Sequence, residues 1–308
     1  MEHTFQKASD WIKRNARPLE VARWEYVFEG GSRDNVIRYL AAYQNEDGGF
    51  GHGIEPDFWL PSSSPMATWT AGQMLVEIGA NENEEIIGKM IKYLVNTADN
   101  VTGMWQSALP ENNQYPHAPW WHWNEGVQEN WMFNPGVELA AFLVQWSPEH
   151  DEASQIAWNS IEKAVERLMN ASEMDRHEVN NYQQFLKIMQ AHKEMFHTHT
   201  DYEFDAVSDK IMSFAEECIE HNTSEWSSGY KVLPLDIIDS PEHPLYPKFK
   251  ELVEQNLKFF MEEVSDEGIW EIPWSWGSYP EEFPIARRYW QGILAVNRYK
   301  ILQTFGYL

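Results

Sequence analysis

Three acidic residues stand where aromatic neighbours would strip their water. Glu55 and Asp57 lie in GIEPDFW, beside Phe58 and Trp59, and Glu271 lies in GIWEIPWSW, between Trp270 and Trp274. A carboxyl group works as a general acid near neutral pH when an apolar surround raises its pKa, and glycosidic cleavage needs two carboxyls several ångströms apart. Glu55, Asp57 and Glu271 are therefore the candidate catalytic residues. The competing reading of each is a solvated loop or cap carboxylate.

Aromatic residues supply the second chemical ingredient. Trp120, Trp121 and Trp123 sit in HAPWWHWNEG, and Trp274 and Trp276 in the last aromatic loop, neither with clean helical periodicity. Such rings stabilise carbocations through their quadrupole and stack on the apolar faces of sugars, so aromatics alone do not choose between the two ligands. With Trp69, they form the candidate wall of a ligand cavity. His52, beside a glycine turn, and His122, which with His117 flanks Trp120 and Trp121, are candidate ligand contacts. Glu125 and Glu129 follow, but the cluster lacks a pattern such as HExxH, so no metal is expected. Arg287 and Arg288 would bind a carboxylate or diphosphate, or else pair with Glu281 and Glu282.

No cofactor is expected either. GGFGHG (Gly48–Gly53) follows a helical pattern rather than a strand, and no GxSxG nucleophile elbow occurs. The single cysteine, Cys218, excludes an intrachain disulfide and falls in a helical apolar stripe with Phe204, Val207, Ile211 and Phe214. It reads as a small buried thiol. Forty-eight acidic against 23 basic residues give a net charge of −25, which repels nucleic acid and anionic membranes. No run approaches the length of a membrane span, and the first twenty residues have no apolar core, so a cytoplasmic protein with a small-molecule partner is expected. The oligomeric state is not legible.

The elements that must position these residues are helices. Apolar residues recur in steps of three and four at Val36, Leu40, Tyr43; Ile87, Met90, Leu94; Trp158, Ile161, Val165, Leu168; Tyr182, Phe185, Met189, His192, Phe196; and, around Asn256, at Phe249, Leu252, Phe260, Val264. Shorter segments at about 5–15, 18–28, 65–79, 135–146, 205–220 and 285–305 bring the number to roughly eleven. An internal repeat links the early and late thirds at an offset of 219: Asp47 falls on Asp266, Gly49 on Gly268, Pro61 on Pro280 and Pro65 on Pro284. Each copy reads outer helix, glycine turn, aromatic loop, proline, inner helix. Asp99–Trp105 is a third, partial copy and the stretch near Gly229 and Pro234 a weaker fourth.

Repeated hairpins of this kind stack as an open solenoid or close into a ring. Irregular spacing and a last unit that returns to the pattern of the first favour closure. The expected fold is an all-α, α/α toroid of about five to six helical hairpins, a single domain over residues 1–308 with an N-terminal helical segment (1–30) packed on it.

IRYLAAYQNEDGGFG (Ile37–Gly51), followed by SPMATWTAGQML (Ser64–Leu75), resembles the repeat of the terpenoid cyclases and protein prenyltransferase β subunits through Gln44, Asp47, Gly48, Gly49 and Phe50. Phe50 replaces the tryptophan of the cyclase turn, which Trp270 keeps. The resemblance implies that Thr68 and Trp69 begin an inner helix aimed at a central cavity. It carries a fold further than an activity. The chain has no DxDD acid motif, and Glu216 stands where a prenyltransferase-like zinc site would place an aspartate before Cys218. The expected function is binding, with or without transformation, of an apolar or isoprenoid small molecule. A carbohydrate-active hydrolase or lyase using paired carboxylates is the first alternative, and a non-catalytic ligand-binding or scaffolding toroid the second.

Overall fold

The computed structural model describes residues 2–308, and its regular elements are helices. Among the described residues β structure is confined to isolated bridges such as Phe58 to His117. In chain order the helices are α1 (Glu2–Asn15), α2 (Pro18–Phe28), α3 (Arg33–Leu40), α4 (Pro65–Glu77), α5 (Glu85–Thr97), α6 (Gln128–Trp131) and α7 (Gly136–Trp146). They continue with α8 (Glu152–Asn170), α9 (Arg176–Met189), α10 (Lys193–His199), α11 (Phe204–Cys218), α12 (Pro234–Ile237), α13 (Tyr246–Glu263) and α14 (Phe283–Thr304). The helix expected to run from Tyr182 to Phe196 is interrupted: Gln190–His192 form a 3₁₀ turn that carries the apolar stripe from α9 into α10. Contacts cluster the chain into two compact units, one of the residues up to Leu40 with Cys218–Leu308, the other Ala41–Glu217.

In the first unit, Pro18 suits the first turn of α2 because its missing N–H would be unpaired there. Arg17 and Glu20, both buried, close a bidentate ion pair at 2.7 and 2.8 Å. The core is aromatic. Phe5 stacks on Trp24 at 5.0 Å, Trp24 meets Tyr299 edge-on at 5.4 Å, and Trp270 meets Tyr299 at 5.0 Å. These contacts join α1, α2 and α14 to the last aromatic loop. The Trp270 indole donates to Phe260 O at 2.7 Å and the Tyr299 hydroxyl to Gly268 O at 2.8 Å. The large rings therefore also satisfy loop and helix-end carbonyls that would otherwise be buried unpaired.

In the second unit α7 is the central helix. Every residue from Gly136 to Val144 is buried, and α4, α5, α8 and α9 pack around it. An apolar helix surrounded on all sides has no solvent face to spare for charge, so the one acidic side chain in that run needs an explanation. α4 starts sharply: Ser64 caps it by accepting Ala67 N–H at 3.1 Å, and Pro65 follows at the first position.

The repeat is visible in the turns. Gly48 N–H donates to Asn45 O at 3.0 Å and Asn45 N–H to Gly49 O at 2.8 Å. Gly268 N–H likewise donates to Ser265 O, and Ser265 N–H to Ile269 O, both at 2.9 Å. The equivalent residues are thus Asn45 and Ser265, an offset of 220 (265 − 45), one more than the sequence alignment gave. Gly48 and Gly268 both adopt positive φ, at 94° and 84°. A side chain at Gly48 would collide with the Lys89 carbonyl on α5, and one at Gly268 with the Thr4 carbonyl on α1. Both the conformation and the close helix approach demand glycine.

Candidate functional site

The acidic residue inside the apolar α7 is Glu138, only 2% exposed. Trp69 and Gln73 reach it from α4. The four-residue spacing of Pro65, Trp69 and Gln73 places them on one stripe of that helix. The Trp69 indole donates to Glu138 Oε2 at 2.6 Å, the Gln73 amide to Oε1 at 3.1 Å, and the Asn181 amide, from α9, to Oε2 at 2.9 Å. All three donors are neutral. Burial pushes the Glu138 carboxyl up to about 7, against the downward pull of the bonds from Trp69, Asn181 and Gln73 and of the Lys187 charge. Near neutral pH this group is divided between acid and carboxylate. Oε2 already receives two N–H groups at 2.9 Å or less, so the proton of the acid form belongs on Oε1.

A second buried carboxylate, Glu178, precedes Asn181 by one turn of α9. It accepts Arg167 Nη2 at 3.1 Å and the Phe133 N–H at 3.3 Å. Burial raises its pKa as well, and the Arg167 charge pulls it back. The side chains that donate to Glu138 are all neutral, whereas Glu178 is paired with a guanidinium. In the same unit a cleft of about 770 Å³ opens beside Leu60, Pro65, Tyr93, Met104 and Trp105, with Asp99 among its polar residues. Its lining includes Pro65, at the start of α4, but not Trp69, Gln73 or Glu138.

Several residues singled out from sequence meet in another part of this unit. Residues 57–59 lie alongside 116–118: Ala118 N–H donates to Asp57 O at 2.7 Å and Trp59 N–H to Pro116 O at 2.9 Å. Glu55 and Asp57 are both buried, and Glu55 Oε2 accepts the Asp57 N–H at 2.7 Å, the bond of a carboxylate that closes a turn. Trp121 is buried, stacked on Trp131 at 4.8 Å and edge-on to Phe58 at 5.3 Å. The indole N–H groups of Trp121 and Trp131 are buried without an acceptor among the described residues. Trp120 is 39% exposed. His122 is exposed and bonded to His117, and His52, exposed at φ 57°, bonds to Asn45 Oδ1 at 2.9 Å. Among the described residues no group of three or more His, Cys, Asp or Glu side chains is placed to hold a metal ion.

In the first unit Glu271 is exposed and accepts Arg287 Nε at 2.8 Å, Arg287 Nη2 at 2.6 Å and the Gln291 amide at 3.0 Å. Arg287 therefore pairs with Glu271 rather than with the Glu281 and Glu282 that the sequence offered. Arg288 is exposed on the next position of α14. Trp274 is half-buried, edge-on to Tyr230 at 5.4 Å and to Trp290 at 5.3 Å. Trp276 is buried against Phe283 at 5.7 Å, a packing position. Cys218 is half-buried, more open than its stripe implied.

Glu138, Gln73 and Asn181 went unmarked in the sequence. A signal for Glu138 was present: it is the one charged residue in GVELAAFLVQW, a run too apolar to expose any face. Gln73 and Asn181 carry no such signal, because uncharged polar residues on helices are common and nothing local says which face is buried.

No protein-family profile, no curated protein and no solved structure matches this chain. Among the described residues no helix is long and apolar enough to cross a membrane.

Proposed function

We propose that the helical hairpins close into an α/α toroid that binds a small hydroxyl-bearing molecule of the sugar class beside Trp69, with Glu138 as its proton donor. The observation that carries this reading is a buried carboxyl, at a pKa of about 7, whose three partners are all neutral. General acid catalysis is most effective when the acid's pKa lies near the working pH, and protonation of a glycosidic oxygen suits such an acid. Protonating an alkene, which would begin cyclisation of an isoprenoid, calls for a far stronger one. Trp69, half-buried with its indole N–H fixed on Glu138, supplies a flat apolar face on which a sugar ring stacks. Ring closure draws support from the matching turns, each glycine docked on the next outer helix, with Gly268 returning to α1.

The isoprenoid reading, as a terpenoid cyclase- or prenyltransferase-like toroid, keeps one specific support, the stack of Phe58, Trp121 and Trp131. Tryptophan fluorescence titrated with neutral oligosaccharides and with prenyl alcohols separates the two. Saturable quenching by an oligosaccharide, lost in Trp69→Ala, together with hydrolysis lost in Glu138→Gln while binding survives, is the expected result. Quenching by prenyl alcohols alone would transfer the site to the aromatic stack. A response to neither panel would leave the scaffolding toroid as the better account.

A further inference from the structure

A pair of hydrogen-bonded histidines, His117 and His122, stands outside the Glu138 cluster and does not depend on the reading given to that cluster. His117 Nδ1 lies 2.6 Å from the Tyr115 carbonyl, and His117 Nε2 lies 3.0 Å from His122 Nδ1, with the rings nearly parallel at 21°. A carbonyl oxygen only accepts, so His117 must carry its proton on Nδ1. Its Nε2 in the neutral ring is then an acceptor, and the proton between the two rings belongs to His122 Nδ1. That leaves His122 Nε2 as an unprotonated lone pair on an exposed side chain. The tautomer is the less common one for histidine, and here a chain of two hydrogen bonds imposes it.

The backbone that presents this ring is clamped on both sides. Asn112 donates to Trp121 O at 3.3 Å, and Asn113 both donates to Trp123 O at 3.0 Å and accepts the Trp123 N–H at 2.9 Å. His117 is held in turn by the bridge to Phe58 and by the Ala118 bond to Asp57 O.

We infer that His122 Nε2 is a preorganised base for a hydroxyl or water of a bound ligand, with His117 as the positioning residue. When Nε2 takes a proton, the O–H bond breaks, the electron pair stays on oxygen and His122 becomes an imidazolium. Its Nδ1 proton passes to His117 Nε2 as far as the hydrogen bond allows, and the Tyr115 carbonyl steadies the charge on His117. Adjacent bases activate nucleophiles by this logic.

The test uses the intact protein and two readouts. Long-range ¹H–¹⁵N NMR reports which nitrogen of His122 holds the proton, and Nδ1–H is expected. Diethyl pyrocarbonate, followed by mass spectrometry, reports nucleophilicity, because the Nε2 lone pair attacks a carbonyl carbon and ethyl carbonate leaves. His122 is expected to react roughly tenfold faster than the exposed His3 of the same sample. In His117→Phe the rate should fall to that of His3 and the His122 proton should move to Nε2. An Nε2–H tautomer in the unaltered protein, or equal rates for His122 and His3, overturns the inference. An unchanged rate and tautomer in a folded His117→Phe protein overturns the role of His117. If that variant does not fold, the tautomer and rate in the unaltered protein decide.

Discussion

Glu138 and Glu271 are each gripped by side chains four residues apart on one helix, Trp69 and Gln73 on α4 for the first, Arg287 and Gln291 on α14 for the second. The glutamine is common to both grips and the other partner differs. Arg287 brings a full positive charge to an exposed carboxylate, at 2.6 Å, and water shares the work. Trp69 brings a neutral N–H to a buried one. A carboxylate in water with a guanidinium is an ordinary surface ion pair, whereas one stripped of water and given only neutral donors pays for its charge with a raised pKa. The geometry of the grip is thus shared, and the two differ in burial and in the charge of the partner.

The largest expected contrast is in stability at pH 5, where Glu138 is protonated. Glu138→Ala leaves the Trp69, Gln73 and Asn181 donors facing a void and should cost about 4 kcal/mol in a urea melt. Glu271→Ala should cost well under about 1 kcal/mol. Comparable losses for the two would break the comparison.

The next effect is the pH dependence of stability. The folded-state pKa of Glu138, about 7, lies above its ordinary value of 4.5, so the folded protein holds this proton more tightly than the unfolded chain. Its contribution is complete below about pH 4.5 and is lost as pH rises through 7, a swing of about 3 kcal/mol. Glu138→Gln should flatten that part of the profile, measured by urea melts from pH 4.5 to 8.5.

Smaller changes sharpen the picture. Trp69→Phe keeps an aromatic side chain and removes the 2.6 Å bond, so the Glu138 carboxyl should titrate about one unit higher in a pH series of infrared carboxyl spectra. Arg287→Ala should destabilise by about 0.5 kcal/mol, with the loss shrinking further in high salt.

The helical class and the start of α4 were open to sequence reading because they rest on local signals. Apolar spacing reports a buried face directly, and Ser64–Pro65 is a start signal that needs no partner. The glycine turn is legible too, but its register slips by one: Gly48 and Gly49 are adjacent, and the positive φ and turn hydrogen bond of Gly48 tell them apart only in the structure. Trp69 stands out for its place at the head of α4, yet its role depends on Glu138, sixty-nine residues away. Glu55 and Asp57 drew notice for their aromatic neighbours, and the Asp57 N–H takes up one of the Glu55 oxygens. Which carboxyl is left with neutral partners is a property of tertiary contacts, and the sequence gives it away only where an acidic residue interrupts a run as apolar as α7.

The central claim is that Glu138 is the group that holds a proton at neutral pH. It is tested most directly by following the glutamate side-chain carboxyl ¹³C resonances through a pH titration, with Glu138 assigned by its absence from Glu138→Gln. A midpoint near 7 for that resonance is the expected result. A midpoint at or below 4.5 would contradict it, and would mean that the three neutral donors outweigh burial and hold Glu138 as a structural carboxylate.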